Sequence, residues 1–233
     1  MFNRSPHLYD ALYSWKDYEG EAQRIVELAA ALHPGARTLL DVACGTGRHL
    51  ELLQESFEVE GLDLDAQFLD IAARRVPGVP LHQADMVSFD LGKTFDIVLC
   101  LFSSIGYMET PDRLGRSCER LARHVAPGGL LMVEPWLMPD IYEEGHIGLL
   151  TVDKPHLKIA RMDSSKRDGD VSVLDFEYLV GTSDGVEYFT EQHRLGLFSD
   201  DQYRAALTKA GLELSDAADL MGRGLYVARK PHG

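Results

Sequence analysis

The stretch "LLDVACGTGRHL", Leu39 to Leu50, decides how the rest of the chain is read. Its apolar residues and Asp41 fit a strand buried on both faces. Gly45 and Gly47 then offer backbone freedom for a tight turn. A helix is expected from about Gly47 to Ser56. Such a strand–turn–helix unit opens many nucleotide-binding sheets. Two of its usual ligands fit poorly. A phosphate-binding loop needs Lys-Ser/Thr after its glycines, and Arg48-His49 stands there instead. A dinucleotide turn wants a third glycine for close helix–strand packing, and Leu50 takes its place.

Outward from this stretch, strand and helix signals alternate. Upstream, Ala22, Ile25, Val26, Ala29 and Leu32 share one face of a helix over Glu21–His33. Downstream, "FEVEGLD" predicts a second strand and Asp65–Arg75 a helix. "LHQADM" predicts a short third strand, and Phe95–Phe102 a strong fourth. Thr110-Pro111 is a helix start, a hydroxyl cap with proline at the first position. "APGG", Ala126–Gly129, ends that helix before a fifth strand, "LLMVEP". The pattern then changes. Asp168-Gly169 and Asp184-Gly185 are hairpin signals, and Leu174, Phe176, Tyr178 and Val180 alternate with polar residues. These predict an antiparallel meander inserted at about 146–190. "EQHRLGLF" gives another strand, Ser199 with Gln202 a capping box, and "GLYVARK" a terminal strand. The fold expected is α/β, a Rossmann-like doubly wound sheet, with 1–233 as a single domain carrying the meander. Ligands should sit at the carboxyl ends of its strands.

Composition narrows the partners. The 233 residues carry a formal charge of −14, unlike a surface that docks a phosphate backbone. No nucleic-acid partner is expected. Three cysteines without metal-ligand spacing indicate a reduced, cytoplasmic protein with no metal site. No apolar run is long enough for a membrane span or a leader.

With the two phosphate ligands set aside, Asp41, Gly45 and Gly47 resemble the D/E-x-x-x-G-x-G motif of class I S-adenosylmethionine (SAM) methyltransferases. Glycines there let backbone approach the methionyl part, and Asp41 suits the ammonium. Asp63 ends the second strand, sixteen residues past Gly47, where a carboxylate accepts from both ribose hydroxyls. Asp65 is assigned to the following helix cap. Asp85 and Met86, after the third strand, match the adenine landmark of those enzymes. Leu64, beside Asp63, and Phe102, at the end of the fourth strand, complete the cofactor set.

"LLDVACGTGRHL", "LFSSIGYM", "ARHVAPGG", "VEPWLMP" and "GRGLYVA" resemble the sugar N,N-dimethyltransferases of the desosamine and mycaminose type. Those enzymes methylate the amine of a dTDP-linked amino sugar with SAM, leaving S-adenosylhomocysteine. The resemblance runs through nearly the whole chain. It implies a seven-stranded class I methyltransferase sheet and a small-molecule substrate, with a homodimer as an option. It places Tyr18 at the cofactor and Ser104 beside the methyl group. Glu134 and Trp136 fall in the acceptor pocket, and Arg223 at the substrate's diphosphate. The chain departs at Tyr107, where the family has a histidine.

In-line methyl transfer gains most from holding a neutral amine lone pair near attack distance. A nitrogen acceptor therefore does not demand a base, whereas an oxygen acceptor of high pKa does. Tyr107, Glu134 and Tyr13 are the candidate catalytic residues, and Tyr9 and His193 are assigned with Ser104, Trp136 and Arg223 to the substrate. N- and O-transfer both stay open on these residues. An NAD-linked oxidoreductase is opposed by Leu50. A nucleic-acid amine methyltransferase is opposed by Phe102-Ser103-Ser104-Ile105, which replaces its D/N/S-P-P-Y/F motif.

Overall fold

A computed structural model describes residues 5–215 and 224–232. In chain order the helices are α1 (Tyr9–Leu12), α2 (Tyr18–Leu32), α3 (Arg48–Leu53), α4 (Ala66–Arg75), α5 (Pro111–Arg123) and α6 (Asp200–Lys209). The strands are β1 (Thr38–Val42), β2 (Glu58–Asp63), β3 (Leu81–Gln83), β4 (Phe95–Cys100), β5 (Val125–Val133), β6 (Ile147–Lys154), β7 (Leu157–Asp168), β8 (Val171–Thr182), β9 (Gly185–Gly196), β10 (Glu213–Leu214) and β11 (Tyr226–Arg229). Seven of them form one sheet in the order β10-β11-β5-β4-β1-β2-β3, and β6 to β9 form a second, antiparallel sheet. This is the class I methyltransferase arrangement. β1 lies between β2 and β4, both parallel to it, so the connections on its two sides run in opposite directions. That is the switch point, and the crevice at its carboxyl end is where a ligand fits.

The main sheet is apolar on both faces. Leu40, Val98 and Leu131 face α5 and α6, while Leu39, Ile97 and Leu130 face α2 and α3. A third core joins the second sheet to the N-terminal segment through Leu8, Leu12, Ile159, Phe176, Tyr178 and Phe189. The inner face of the second sheet therefore looks across the N-terminal helix toward the crevice.

Several predicted boundaries move: α2 starts at Tyr18 rather than Glu21, and β4 ends at Cys100 rather than Phe102. The helix after Gly47 ends at Leu53 rather than Ser56. β5 begins at Val125 and runs through the "APGG" expected only to end the helix. Pairing jumps from Phe95↔Val125 to Ile97↔Leu130, so Pro127 and Gly128 sit in a bulge that tolerates a missing N–H. The meander is not confined to 146–190 but runs to Gly196, because "EQHRLGLF" continues β9 rather than starting a new strand. The helix caps match local chemistry. Asp65 and Thr110 accept from the first turns of α4 and α5, and Ser199 with Gln202 forms a full capping box. Among the described residues no helix is long and apolar enough to cross a membrane.

Candidate active site

Three cavities meet at the carboxyl ends of β1, β2 and β4. The largest, about 460 Å³, lies between the strand ends and the second sheet. A second, about 120 Å³, runs past Asp63, Asp85 and Met86. The third, about 40 Å³, lies over Asp41, Gly45 and Thr46. Tyr9 and Ser104 border all three, so the cavities adjoin there. Tyr107 borders the two larger ones.

The loop after β1 builds the smallest cavity. Ala43 (φ 63°), Gly45 (φ 55°) and Gly47 (φ 77°) all take left-handed backbone. Asp63 fixes this loop to β2: one carboxylate oxygen accepts from the Gly45 amide at 2.8 Å, the other from the Asp65 amide at 2.9 Å. The two glycines do different work. A Cβ on Gly47 would meet the Ala72 Cβ at 3.1 Å, so Gly47 is needed for α3 to pack on α4. A Cβ on Gly45 would meet nothing within 4 Å. Gly45 borders two cavities, so that Cβ would project into space a ligand needs. G45A should weaken ligand binding about tenfold or more while costing stability only the ~1 kcal/mol of a left-handed alanine. G47A should lower Tm more and affinity less. Calorimetric titration beside thermal melts separates the two, and equal effects on both readouts from both variants would refute the distinction.

Beneath the loop, Asp41 is 2% exposed and its Oδ2 has no partner among the described residues. Burial, with the Asp63 carboxylate nearby, pushes its carboxyl up to about 8. A buried carboxyl in that state is completed by a cation. Asp63 is also raised, mainly by burial, against the lowering effect of its amide bonds. A cationic ligand with a ribose fits this pair of acids.

The middle cavity is apolar on its floor, with Leu62, Leu64, Phe68 and Met86 around Asp85. Asp85 Oδ1 accepts from the Val87 amide at 3.0 Å, and Arg113 lies 3.9 Å from Oδ2. A cavity with apolar walls and the Asp85 carboxylate among them suits a purine with an exocyclic amine. Tyr18 borders the smallest cavity under the Arg48 guanidinium, 5.3 Å above its ring.

The large cavity is aromatic toward the strand ends. Tyr9 and Tyr13 lie 4.6 Å apart, and Tyr13 meets Phe102 edge-on at 5.1 Å. Such rings favour a cationic centre beside them. Trp136 walls the cavity, but its indole N–H is committed to Ser172 at 2.9 Å. From β7, buried Arg161 stacks 4.4 Å over Phe176 and donates to the Tyr13 hydroxyl at 3.1 Å. Its Nε has no partner among the described residues.

The structure brings together Tyr9, Tyr13, Ser104, Tyr107, Trp136 and His193 around this cavity. It does not bring Glu134 there. Glu134 is buried at 3% exposure and accepts from the Phe102 amide at 2.6 Å, bracing the loop rather than facing the acceptor space. The strand-end rule that served for Asp63 misplaced this side chain, because the left-handed pair Phe102–Ser103 turns an amide toward it. Arg223 lies outside the described residues.

Sequence reasoning missed three features. Arg161 is one; its signal is a charged residue at an inward register position of an alternating strand. A second is a clamp over the glycine loop: Asp10 accepts from the Thr46 hydroxyl at 2.8 Å and pairs with Arg75. The third is a buried Lys16–Glu21–His49 cluster, with His49 Nε2 2.8 Å from Glu21. Burial works against ionising Glu21, yet the bonds from His49 and Lys16 hold its carboxyl below the usual range. The contacts of Asp10 with Thr46 and Arg75, and of Glu21 with His49, span distant segments and leave no local pattern. Among the described residues no group of three or more His, Cys, Asp or Glu is arranged to hold a metal.

Comparison with known proteins agrees with this geometry. A family described as a methyltransferase domain matches residues 39–129. The chain is 42% identical to the dTDP-3-amino-3,6-dideoxy-alpha-D-glucopyranose N,N-dimethyltransferase of Streptomyces fradiae, over 94% of this chain and 88% of that protein. It is 41% identical to the dTDP-4-amino-2,3,4,6-tetradeoxy-D-glucose N,N-dimethyltransferase of Saccharopolyspora spinosa, over 94% and 90%. A SAM-bound amino pentose methyltransferase from Micromonospora echinaspora superposes with a TM-score of 0.87 at 37% identity, covering 99% of this chain and 98% of the other.

Proposed function

The chain belongs to the family of SAM-dependent N-methyltransferases that act on dTDP-linked amino sugars, and on that premise we propose that the amine of such a sugar is its acceptor, bound in the cavity of about 460 Å³. When bound, SAM presents an electrophilic methyl group on a cationic sulfonium. The chain's own residues then divide the work. Asp63 receives the ribose hydroxyls, Leu64, Asp85 and Met86 the adenine, and Gly45, Tyr18 and Asp41 the methionyl end. Phe102, Tyr9 and Tyr13 present ring faces where the donor cavities meet the acceptor cavity. Ser104 lines that junction, and Trp136 walls the far side.

The observation that carries this reading is that Tyr9 and Ser104 border all three cavities. An acceptor in the large cavity would lie beside the donor space, where proximity supplies much of the rate. Arg161 lines the same cavity, paired with Asp163 at 3.4 Å, and its Nε without a partner among the described residues supports an anionic group on the acceptor. Relatives acting on a 3-amino and on a 4-amino sugar are almost equally similar, at 42% and 41%. The test is incubation with SAM and each dTDP-amino sugar, read by mass spectrometry for one and two added methyl groups. Methylation of simple amines but of neither nucleotide sugar would refute the acceptor.

Asp41 gives this reading a pH signature. An ammonium favours its ionised form, so SAM binding should release a proton. Affinity should then rise with pH toward about 8, where Asp41 ionises unaided. The ligand-free protein behaves oppositely. Its folded state holds the Asp41 proton above the unfolded value of ~4, so stability falls as pH rises from there toward the folded value. Calorimetry in buffers of different ionisation enthalpy reads the proton directly. A Kd flat from pH 6 to 8 would remove Asp41 from the ammonium.

The second sheet covers the acceptor cavity with its inner face. Its outer face exposes Ile147, Leu149, Met162, Leu179, Val186 and Tyr188. Exposed apolar residues gathered on one sheet face supply the surface on which a second copy would pair; a monomer by light scattering would refute the homodimer.

A further inference from the structure

Tyr107 stands at the junction of the donor and acceptor cavities, and its hydroxyl lies 2.7 Å from Nδ1 of His193 on β9. On the other side of the imidazole, Nε2 faces Glu191 Oε2 at 3.8 Å. Glu191 is itself anchored, accepting from the Ser5 amide at 3.1 Å and the Ser5 hydroxyl at 2.7 Å. The three side chains thus form a line from the methyl-transfer junction into the second sheet. We propose that Tyr107, His193 and Glu191 form a proton relay that strips the methylated amine between its two methylations. This rests on the amino-sugar acceptor proposed above.

The need for such a relay follows from acid–base chemistry. One transfer forms the N–C bond, and the C–S electron pair goes to sulfur. The product nitrogen is then a secondary ammonium. An alkylammonium titrates near ~10, so at neutral pH it has no lone pair for a second methyl. Tyr107 cannot act as a phenolate, since burial pushes its hydroxyl far above the ordinary range. It can pass a proton through. The ammonium proton moves to Tyr107 Oη as the hydroxyl proton moves to His193 Nδ1. The amine becomes neutral and the charge rests on an imidazolium opposite the Glu191 carboxylate.

The surroundings set the imidazole for this task. Glu191 facing Nε2 favours the tautomer with its proton on Nε2, leaving Nδ1 to accept from Tyr107. Burial holds His193 below its ordinary range, so it is neutral at pH 7; this makes it the weaker base, and it is the Glu191 carboxylate that stabilises the imidazolium once the proton arrives. Glu191 opposes that effect from the same strand, while Arg161 on β7 adds to it. Asp163 on β7 and Tyr178 on β8 share the same inner face. Glu191 acts here as a positioning residue, through His193.

The test measures both methylation steps separately in limited turnovers with a dTDP-amino sugar, for wild type, Y107F and H193Q. The ratio of second-step to first-step rate should fall at least about tenfold at pH 7 in both variants. It should recover toward wild type near pH ~9, where the ammonium ionises without help. A ratio unchanged, or depressed equally at every pH, would overturn the relay. Independently of turnover, E191Q should lower the pH at which His193 titrates by NMR. An unmoved titration would remove Glu191 from the relay. If wild type yields no N-methylated sugar at all, the acceptor reading fails, and the relay with it.

Discussion

D63A should lose SAM affinity by about 10²–10³-fold while still folding. The carboxylate is 8% exposed, and amides of Gly45 and Asp65 already hold each oxygen in place. Asp63 also borders the middle cavity, where a ligand's hydroxyls would meet it. Two charge-assisted bonds to vicinal hydroxyls contribute about 3–5 kcal/mol, which sets the factor. Folding should suffer much less. The two amides lose their acceptor, at a cost of about 1–2 kcal/mol. Against this, Asp41 is relieved of the neighbouring carboxylate that helps to hold its proton on. A Tm drop of only a few degrees is therefore expected beside the large change in Kd. D63N should resemble D63A in binding, because its amide –NH₂ cannot accept from the Gly45 amide and offers only one acceptor oxygen. SAM affinity within about threefold of wild type would remove Asp63 from the ribose.

Asp63 was legible in the sequence because its position follows from strand order. Once "LLDVACGTG" is a strand and a glycine turn, the next strand's last residue lies beside that turn, and β1 pairs with β2 as required. No knowledge of side-chain direction was needed. Glu134 obeyed the same rule and was misplaced by it. What separates the two acids is backbone conformation at Phe102 and Ser103, with φ of 51° and 60°. Neither residue advertises a left-handed conformation as a glycine does.

The second sheet shows the same limit from another side. Alternation in "LDFEYLV" gave its existence and one polar face. Which cavity its inner face lines depends on a long-range contact with the N-terminal segment. Ser5, Asp10 and Tyr13 reach residues 36 to 186 positions away. Such contacts rest on complementarity in space rather than on periodicity, so Arg161 and Glu191 became visible only in three dimensions. Tyr107 acquires its meaning there too. By itself a tyrosine is no base at neutral pH, yet an imidazole is supplied from β9 at 2.7 Å.

E134A should be as damaging as loss of a catalytic group, but for a structural reason, and E134Q should expose the difference. Left-handed conformations at two consecutive non-glycine residues cost about 1 kcal/mol each, so they persist only where surroundings enforce them. Two bonds do so. Glu134 accepts from the Phe102 amide at 2.6 Å, and the Ser103 hydroxyl donates to the Pro135 carbonyl at 2.7 Å. Alanine at 134 strands the half-buried Phe102 amide, a loss of about 1 kcal/mol, and lets the pair relax. Ser104 follows directly and borders all three cavities. A shift of about 1 Å there separates donor from acceptor and costs roughly 10²-fold in rate. Both kcat/KM and Tm should therefore fall together in E134A. Glutamine keeps an acceptor oxygen and the side-chain length, so E134Q should recover to within about tenfold of wild type. A base at this position would give the opposite pattern, with glutamine as inactive as alanine and an altered pH profile. E134Q as inactive as E134A, with Tm intact in both, would return Glu134 to the chemistry.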